Sequence, residues 1–248
     1  MALRSIVKRI LPRPLRQVAR SLLWSVGDVR YRWRTGERGF PPAYLRVKVC
    51  GSIPIESYRS GEEPTAQALL AALGRVGAAP TQFSDVLDFG CGCGRVLIPF
   101  RRHLPQARFY GTDADAALIR WSRKHIPEAE FSHNSPEPPL PYADASFDLI
   151  YGLSVFTHLD ERLQFLWLAE LRRVARPGAI LILTVHGMAD PDGFKFVEND
   201  AWSDFFPDYY QTTMHSRPYL EANWGRYLTI LDYDRETLGQ DVVVLRRD

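Results

Sequence analysis

The sequence predicts an α/β protein built on a parallel, doubly wound sheet, closed by an antiparallel hairpin and preceded by a basic helical extension. Three observations carry this. From Asp85 to Val185 short apolar runs alternate with helical segments, the rhythm of repeated strand–helix–strand units. The first run, Val86-Leu87-Asp88-Phe89, feeds straight into Gly90-Cys91-Gly92-Cys93-Gly94, a turn with glycine at alternate positions, and a helix follows from Arg95. Two further runs, Tyr227 to Tyr233 and Asp241 to Arg246, flank a short connection containing Gly239 and read as a hairpin.

The elements follow in order. Residues 1–62 form a basic helical extension and linker, and residues 63–248 the α/β domain. Leu3, Ile6, Val7 and Ile10 recur at helical spacing until Pro12; Pro14 opens a second helix with a stripe of Leu15, Val18, Leu22 and Val26. Arg46-Val47-Lys48-Val49 reads as a short extended piece. A helix runs from about Glu63 to Val76 and stops at Gly74 and Gly77. Strands are predicted at Asp85–Phe89, Arg108–Thr112, Glu130–His133, Phe147–Leu153 and Ala179–Val185. Helices lie between them at about Arg95–His103, Ala116–His125 and Glu161–Ala175. Residues 187–226 break the rhythm with aromatics, among them Trp202, Phe205, Tyr209, Tyr219 and Trp224. They read either as a substrate-side loop over a site or as cover for a sheet edge.

Totals exclude several functions. The chain has 248 residues and a formal net charge of +2, which makes no case for nucleic acid. Charge is nevertheless uneven: residues 1–35 carry Arg4, Lys8, Arg9, Arg13, Arg16, Arg20, Arg30, Arg32 and Arg34 against one acid, Asp28. A basic amphipathic helix suits an anionic membrane surface, packing on its own domain, or an organelle transit segment. Cys50, Cys91 and Cys93 form neither a disulfide framework nor a zinc site, so no metal is expected. No apolar run spans a membrane and no secretory signal is apparent. The expected location is cytoplasmic, with peripheral membrane contact through residues 1–35 left open.

The glycine turn is where chemistry is expected. Backbone can approach a ligand closely there, and N–H groups heading the following helix favour an anionic group. A dinucleotide fingerprint would need glycine at position 95, where Arg95 stands. The next strand ends in Asp113, nineteen residues past Gly94, placed to accept both hydroxyls of a ribose or to cap a helix.

These pieces together resemble the class I S-adenosylmethionine-dependent methyltransferases. The likeness rests on Val86–Gly94, Gly111-Thr112-Asp113, Leu140–Ile150, Leu171–Gly178 and Gln240–Leu245, and covers about Thr65 to Asp248. It implies a seven-stranded Rossmann-like sheet with its last strand inserted antiparallel, and S-adenosyl-L-methionine as cofactor. It further implies that Gly90, Gly92 and Gly94, with Cys91 between them, lie along the methionyl part. Asp88 would support that loop near the cofactor's amino group, Asp113 would bind the ribose hydroxyls and Ala114 would flank the adenine. Asn134 would accept from the adenine amino group, and Leu153 and Ser154 would meet the amino end through backbone carbonyls.

A hydroxyl acceptor would call for a general base. His186 directly follows the fifth strand and His158 the fourth; both are candidate bases, with His215 behind them. After the fourth strand stands Gly152-Leu153-Ser154-Val155 rather than the Asn/Asp-Pro-Pro-Tyr of amino-methylating nucleic-acid enzymes. A small-molecule, saccharide or lipid-linked acceptor is therefore expected, and a likeness to the methyltransferase-domain group found among bacterial glycan and natural-product enzymes implies O-methylation. Two other readings stand beside this one: a nicotinamide-dependent oxidoreductase, and a binding module that holds the cofactor without turnover.

Overall fold

The computed structural model describes residues 13–189, 193–197 and 211–248. The helical piece read at residues 3–10 and the aromatics from Trp202 to Tyr210 lie outside them. Helix α1 spans Arg13–Thr35, followed by α2 (Ala43–Cys50), α3 (Ile55–Ser60) and α4 (Glu62–Arg75). The α/β body then runs β1 (Asp85–Phe89), α5 (Leu97–Arg101), β2 (Arg108–Asp113), α6 (Ala116–His125) and β3 (Glu130–His133). It continues with β4 (Phe147–Gly152), α7 (Glu161–Val174) and β5 (Ala175–Gly187). Strands β6 (Phe194–Val197) and β7 (Thr212–His215), helix α8 (Arg217–Asn223), β8 (Thr229–Asp234) and β9 (Asp241–Arg246) complete it.

The strand order is β3-β2-β1-β4-β5, all parallel. Strand β9 then lies antiparallel on β5, and β8 antiparallel on β9. This is the seven-stranded, mostly parallel arrangement that the resemblance implies, with the hairpin's second strand inserted between β5 and its first. Every residue of β1 is buried, as expected where helices cover both faces of a parallel sheet. Alternate residues divide between two cores. Val86, Leu149, Tyr151, Ile180, Ile182, Val242 and Val244 pack with Leu69 and Leu73 of α4. Leu87, Phe89, Ile150, Leu181, Leu183, Val243 and Leu245 pack with Trp167, Leu168 and Leu171 of α7.

Two expectations need correction. Residues 46–49 are helical, not extended. Apolar Ala43, Leu45, Val47 and Val49 alternate and so imitate a strand, but Pro42 precedes the segment and Gly51 closes it in the left-handed conformation (φ +66). The segment 187–226 is not only loop. Within it β6 and β7 form an antiparallel pair, and β7 adds parallel to the end of β5 through His186↔Met214 and Gly187↔His215. Trp224 is fully buried against Phe156, so part of the aromatic insert covers core. The carboxyl ends of β1 to β5 meet at one edge, where ligands of doubly wound sheets bind.

Candidate active site

The site is built on the turn after β1. Gly90, Gly92 and Gly94 take φ values of +76, +56 and +65, which explains glycine at alternate positions. The N–H groups of Gly90 and Cys91 both donate to the Thr112 carbonyl, each at 2.8 Å, which clamps the turn onto β2. The Gly92 N–H donates to Asp113 Oδ2 at 2.9 Å, and the Asp115 N–H to Asp113 Oδ1 at 2.8 Å. The cap of α6 is Asp115, which accepts from the Ala117 N–H; Asp113 is left to the turn.

A cavity opens above this turn, with about 970 Å³ of atom-free space when the open mouth is included. Of the residues singled out from the sequence, Gly90, Gly92, Asp113, Ala114, Asn134, Leu153, Ser154 and His158 line it. The others do not. Cys91 turns its sulfur under the loop toward Gly111 in the core. Gly94 faces Ile126 and Phe131, so its bareness serves packing against α6 and β3. Asp88 is buried behind the turn, 4 % exposed. His186 is half-buried beside Asp241, and its backbone pairs with Met214 of β7 outside the cavity wall. His215 is wholly buried, with Nε2–H donating to Gln164 Oε1 at 2.8 Å.

The cavity also has walls that sequence reasoning missed. Lys48 and Val49 of α2 close one side, and Lys48 pairs with Asp115. A Cβ on Gly92 would lie 2.8 Å from Val49, and one on Gly90 would collide with Val155. Phe89, Leu118, Pro136, Val155, Leu159 and Trp167 complete the lining. The flanking Pro42 and Gly51 could have revealed α2 as a helix; nothing local says that it turns over the glycine loop.

Burial shapes the electrostatics. Desolvation pushes the Asp113 carboxyl up to about 6, against the two N–H donors that favour its ionised form. Asp88 is pushed up to about 8 by burial, with Asp113 nearby adding to the shift. Burial lowers His158 to about 4. Its Nδ1–H donates to the Gln211 carbonyl at 2.6 Å, which makes Nε2 the unprotonated nitrogen of a neutral ring. Ser154 sits at φ +59, a left-handed position rare outside glycine, with its N–H donating to Thr184 Oγ1 and its hydroxyl bonded to the Gln240 amide. Its carbonyl accepts from Thr157 Oγ1 at 2.8 Å, a partner within the chain itself.

Comparison with known proteins agrees with this geometry. Residues 86–178, from β1 to the start of β5, match the family model described as a methyltransferase domain. Residues 86–178 are those of a methyltransferase domain, and the fold around them is that of the class I S-adenosylmethionine-dependent methyltransferases. The domain is 33% identical over 99 residues to a malonyl-[acyl-carrier protein] O-methyltransferase of Hahella chejuensis, covering 40% of this chain and 35% of that one. It is 33% identical over 100 residues to a trans-aconitate 2-methyltransferase of Azoarcus sp., covering 40% and 38%. The matched region thus spans little more than a third of these relatives' length. Among solved structures, the 1,6-didemethyltoxoflavin-N1-methyltransferase of Burkholderia thailandensis, bound to S-adenosylhomocysteine, superposes with a TM-score of 0.59. That likeness, at 18% identity, covers 83% of this chain and 88% of the other and concerns the fold.

The methyltransferase domain's residues fit S-adenosylmethionine. Each Asp113 oxygen uses one lone pair on a backbone N–H and keeps another for a ribose hydroxyl. Asn134 donates through Nδ2 to the Ser135 carbonyl, while its buried Oδ1 has no protein partner and suits an amino donor such as adenine's. Ala114 and Leu118 offer apolar wall between these two groups, and the bare Gly90 and Gly92 leave room for a ligand chain.

Proposed function

We propose that the protein transfers a methyl group from S-adenosylmethionine to an oxygen of a small-molecule, saccharide or lipid-linked acceptor. The observation that carries the reading is that one cavity is lined both by the Gly90–Gly92–Asp113 cradle and by His158, a neutral imidazole with a fixed tautomer. When bound, the cofactor supplies an electrophilic sulfonium methyl. The chain's part is to hold that ligand, exclude water and take a proton. Asp113 and Asn134 grip the nucleoside end. Phe89, Val155, Leu159 and Trp167 keep the far side dry. His158 accepts the acceptor's hydroxyl proton at Nε2, while the Gln211 carbonyl steadies the imidazolium through Nδ1–H. A base of this kind favours an O–H acceptor, and the O-methyltransferase among the sequence relatives agrees with that choice. His186 does not line the cavity and is given no part in this step.

The test is release of S-adenosylhomocysteine when purified protein meets S-adenosylmethionine and a panel of hydroxylated metabolites, saccharides and lipid-linked glycans. Turnover with one acceptor class supports the reading. Tight S-adenosylmethionine binding without turnover across the panel favours a non-catalytic module, and binding of NADH in place of S-adenosylmethionine favours an oxidoreductase.

A further inference from the structure

Helix α1 turns its one acid inward and an apolar stripe outward. Asp28 and Tyr31, three residues apart on one face of the helix, meet the body of the protein. Asp28 there forms a two-pronged ion pair with Arg46 (2.6 and 3.2 Å), a side chain with no exposed surface. Arg46 donates further to the Pro41 and Ile53 carbonyls, so the pair is fully satisfied. Tyr31 packs edge-on against Phe40 and donates to Glu37.

The opposite face carries Leu22, Val26, Val29 and Trp33, at spacings of four, three and four. They are 66%, 69%, 64% and 89% exposed, and Leu23 beside them is 72% exposed. Among the described residues no other large apolar side chain exceeds 40%. A soluble helix normally buries such a stripe, and a continuous exposed apolar strip marks an interaction surface.

Charge identifies the partner. Residues 1–35 hold nine basic residues and one acid, and that acid, Asp28, is consumed inside the fold by Arg46. The outward side is therefore apolar with arginine borders and no accessible carboxylate of its own; Arg30 and Arg32 stand exposed beside the stripe. Two copies of this helix brought face to face would oppose like charges. Among the described residues no helix is long and apolar enough to cross a membrane. A helix that lies in the headgroup region with apolar side chains down and arginines among anionic lipids satisfies both the stripe and the charge. We infer that α1 docks the protein on an anionic lipid surface. The inference is independent of the methyl-transfer reading. It places the substrate cavity close to the bilayer, because Arg46 lies one turn or less from Lys48 and Val49 in the cavity wall.

Co-sedimentation of the full chain with phosphatidylglycerol-containing and pure phosphatidylcholine vesicles tests this. The expected result is binding to the anionic vesicles, weakened by salt, and little binding to the neutral ones. L22D/V29D should lower the apparent vesicle affinity roughly tenfold or more, while S-adenosylhomocysteine binding reports that the variant is folded. Should that variant fail to fold, hydrogen exchange of wild-type residues 22–33 supplies the second measurement, and slowing on addition of anionic vesicles is expected. The inference is overturned if the wild type ignores anionic vesicles, if binding is equal on neutral ones, or if exchange is unchanged. A lipid-free dimer dissolved by L22D/V29D, without vesicle binding, would overturn it in favour of self-association.

Discussion

Asp113 Oδ2 accepts the Gly92 N–H at 2.9 Å, a bond that joins the end of β2 to the glycine turn after β1 across 21 residues of sequence. The acid that would hold the ribose therefore also holds the loop that would hold the methionyl chain. Asp113→Ala should weaken S-adenosylhomocysteine binding by about 1–3 kcal/mol through lost charged hydrogen bonds, as read by calorimetry. Unchanged affinity would refute the ribose assignment.

The same carboxyl sets a pH dependence. Asp113 is held up to about 6, and its ionised form is the one with acceptor lone pairs for two hydroxyls. Bound hydroxyl donors stabilise the ionised form, so ligand binding lowers this pKa and releases a proton near pH 6. Affinity should be level above that pH and fall about tenfold per unit below it. Titrations between pH 5 and 8 check the sign: Asp113→Asn should bind weakly with no break near pH 6.

Gly90→Ala should damage the cradle in two ways. Its φ of +76 strains any L side chain, and the new methyl collides with Val155 on the cavity wall. A stability loss of about 1–3 kcal/mol is expected in thermal denaturation, with loss of cofactor binding. Adding Val155→Ala should restore part of the stability, because it removes the collision and leaves the backbone strain.

His158→Gln should lower kcat by roughly 10²–10⁴-fold, the range for loss of a general base, with cofactor affinity nearly unchanged. Burial holds the wild-type imidazole down to about 4, so it stays neutral as pH falls from 7 to 5. At saturating substrates kcat should therefore show no acid limb near the ordinary histidine value. His186→Ala should leave kcat near that of the wild type; a loss comparable to His158→Gln would return the base to His186.

Asp28→Ala should cost about 3–5 kcal/mol, the penalty for stranding a buried charge, here Arg46. Denaturant unfolding measures it, and Asp28→Ala combined with Arg46→Met should recover much of the loss. The result bears on how separable residues 1–35 are: removing them deletes the partner of a wholly buried guanidinium next to the cavity.

The strands β1 to β5 and the closing hairpin of β8 and β9 were legible because their signals are local. Buried parallel strands read as continuous apolar runs, and β1, α6, β3 and β9 begin and end where the residues indicate. Strand β5 reaches further, to Ala175–Gly187, because pairing with β4 and β7 extends it past its apolar centre. The alternate glycines stated in the sequence that backbone there would take φ values closed to other residues. Periodicity failed at α2, where apolar Ala43, Leu45, Val47 and Val49 alternate and Arg46 between them is buried through its ion pair with Asp28 and its bonds to the Pro41 and Ile53 carbonyls.

The sequence by itself determined five parallel strands and a closing hairpin, the glycine turn, Asp113 at the end of β2 and an unusually basic N-terminus, because each is written in residues adjacent along the chain. The tertiary structure decided what those residues face. It brought Lys48 and Val49 over the turn, sent Cys91 and Gly94 into the core, and put His158 rather than His186 on the cavity wall. It also showed that α1 hides its only acid and exposes its apolar stripe. Helical spacing reveals that two faces differ; which of them is buried depends on a partner far away in sequence, here Arg46, and chain order does not encode that distance.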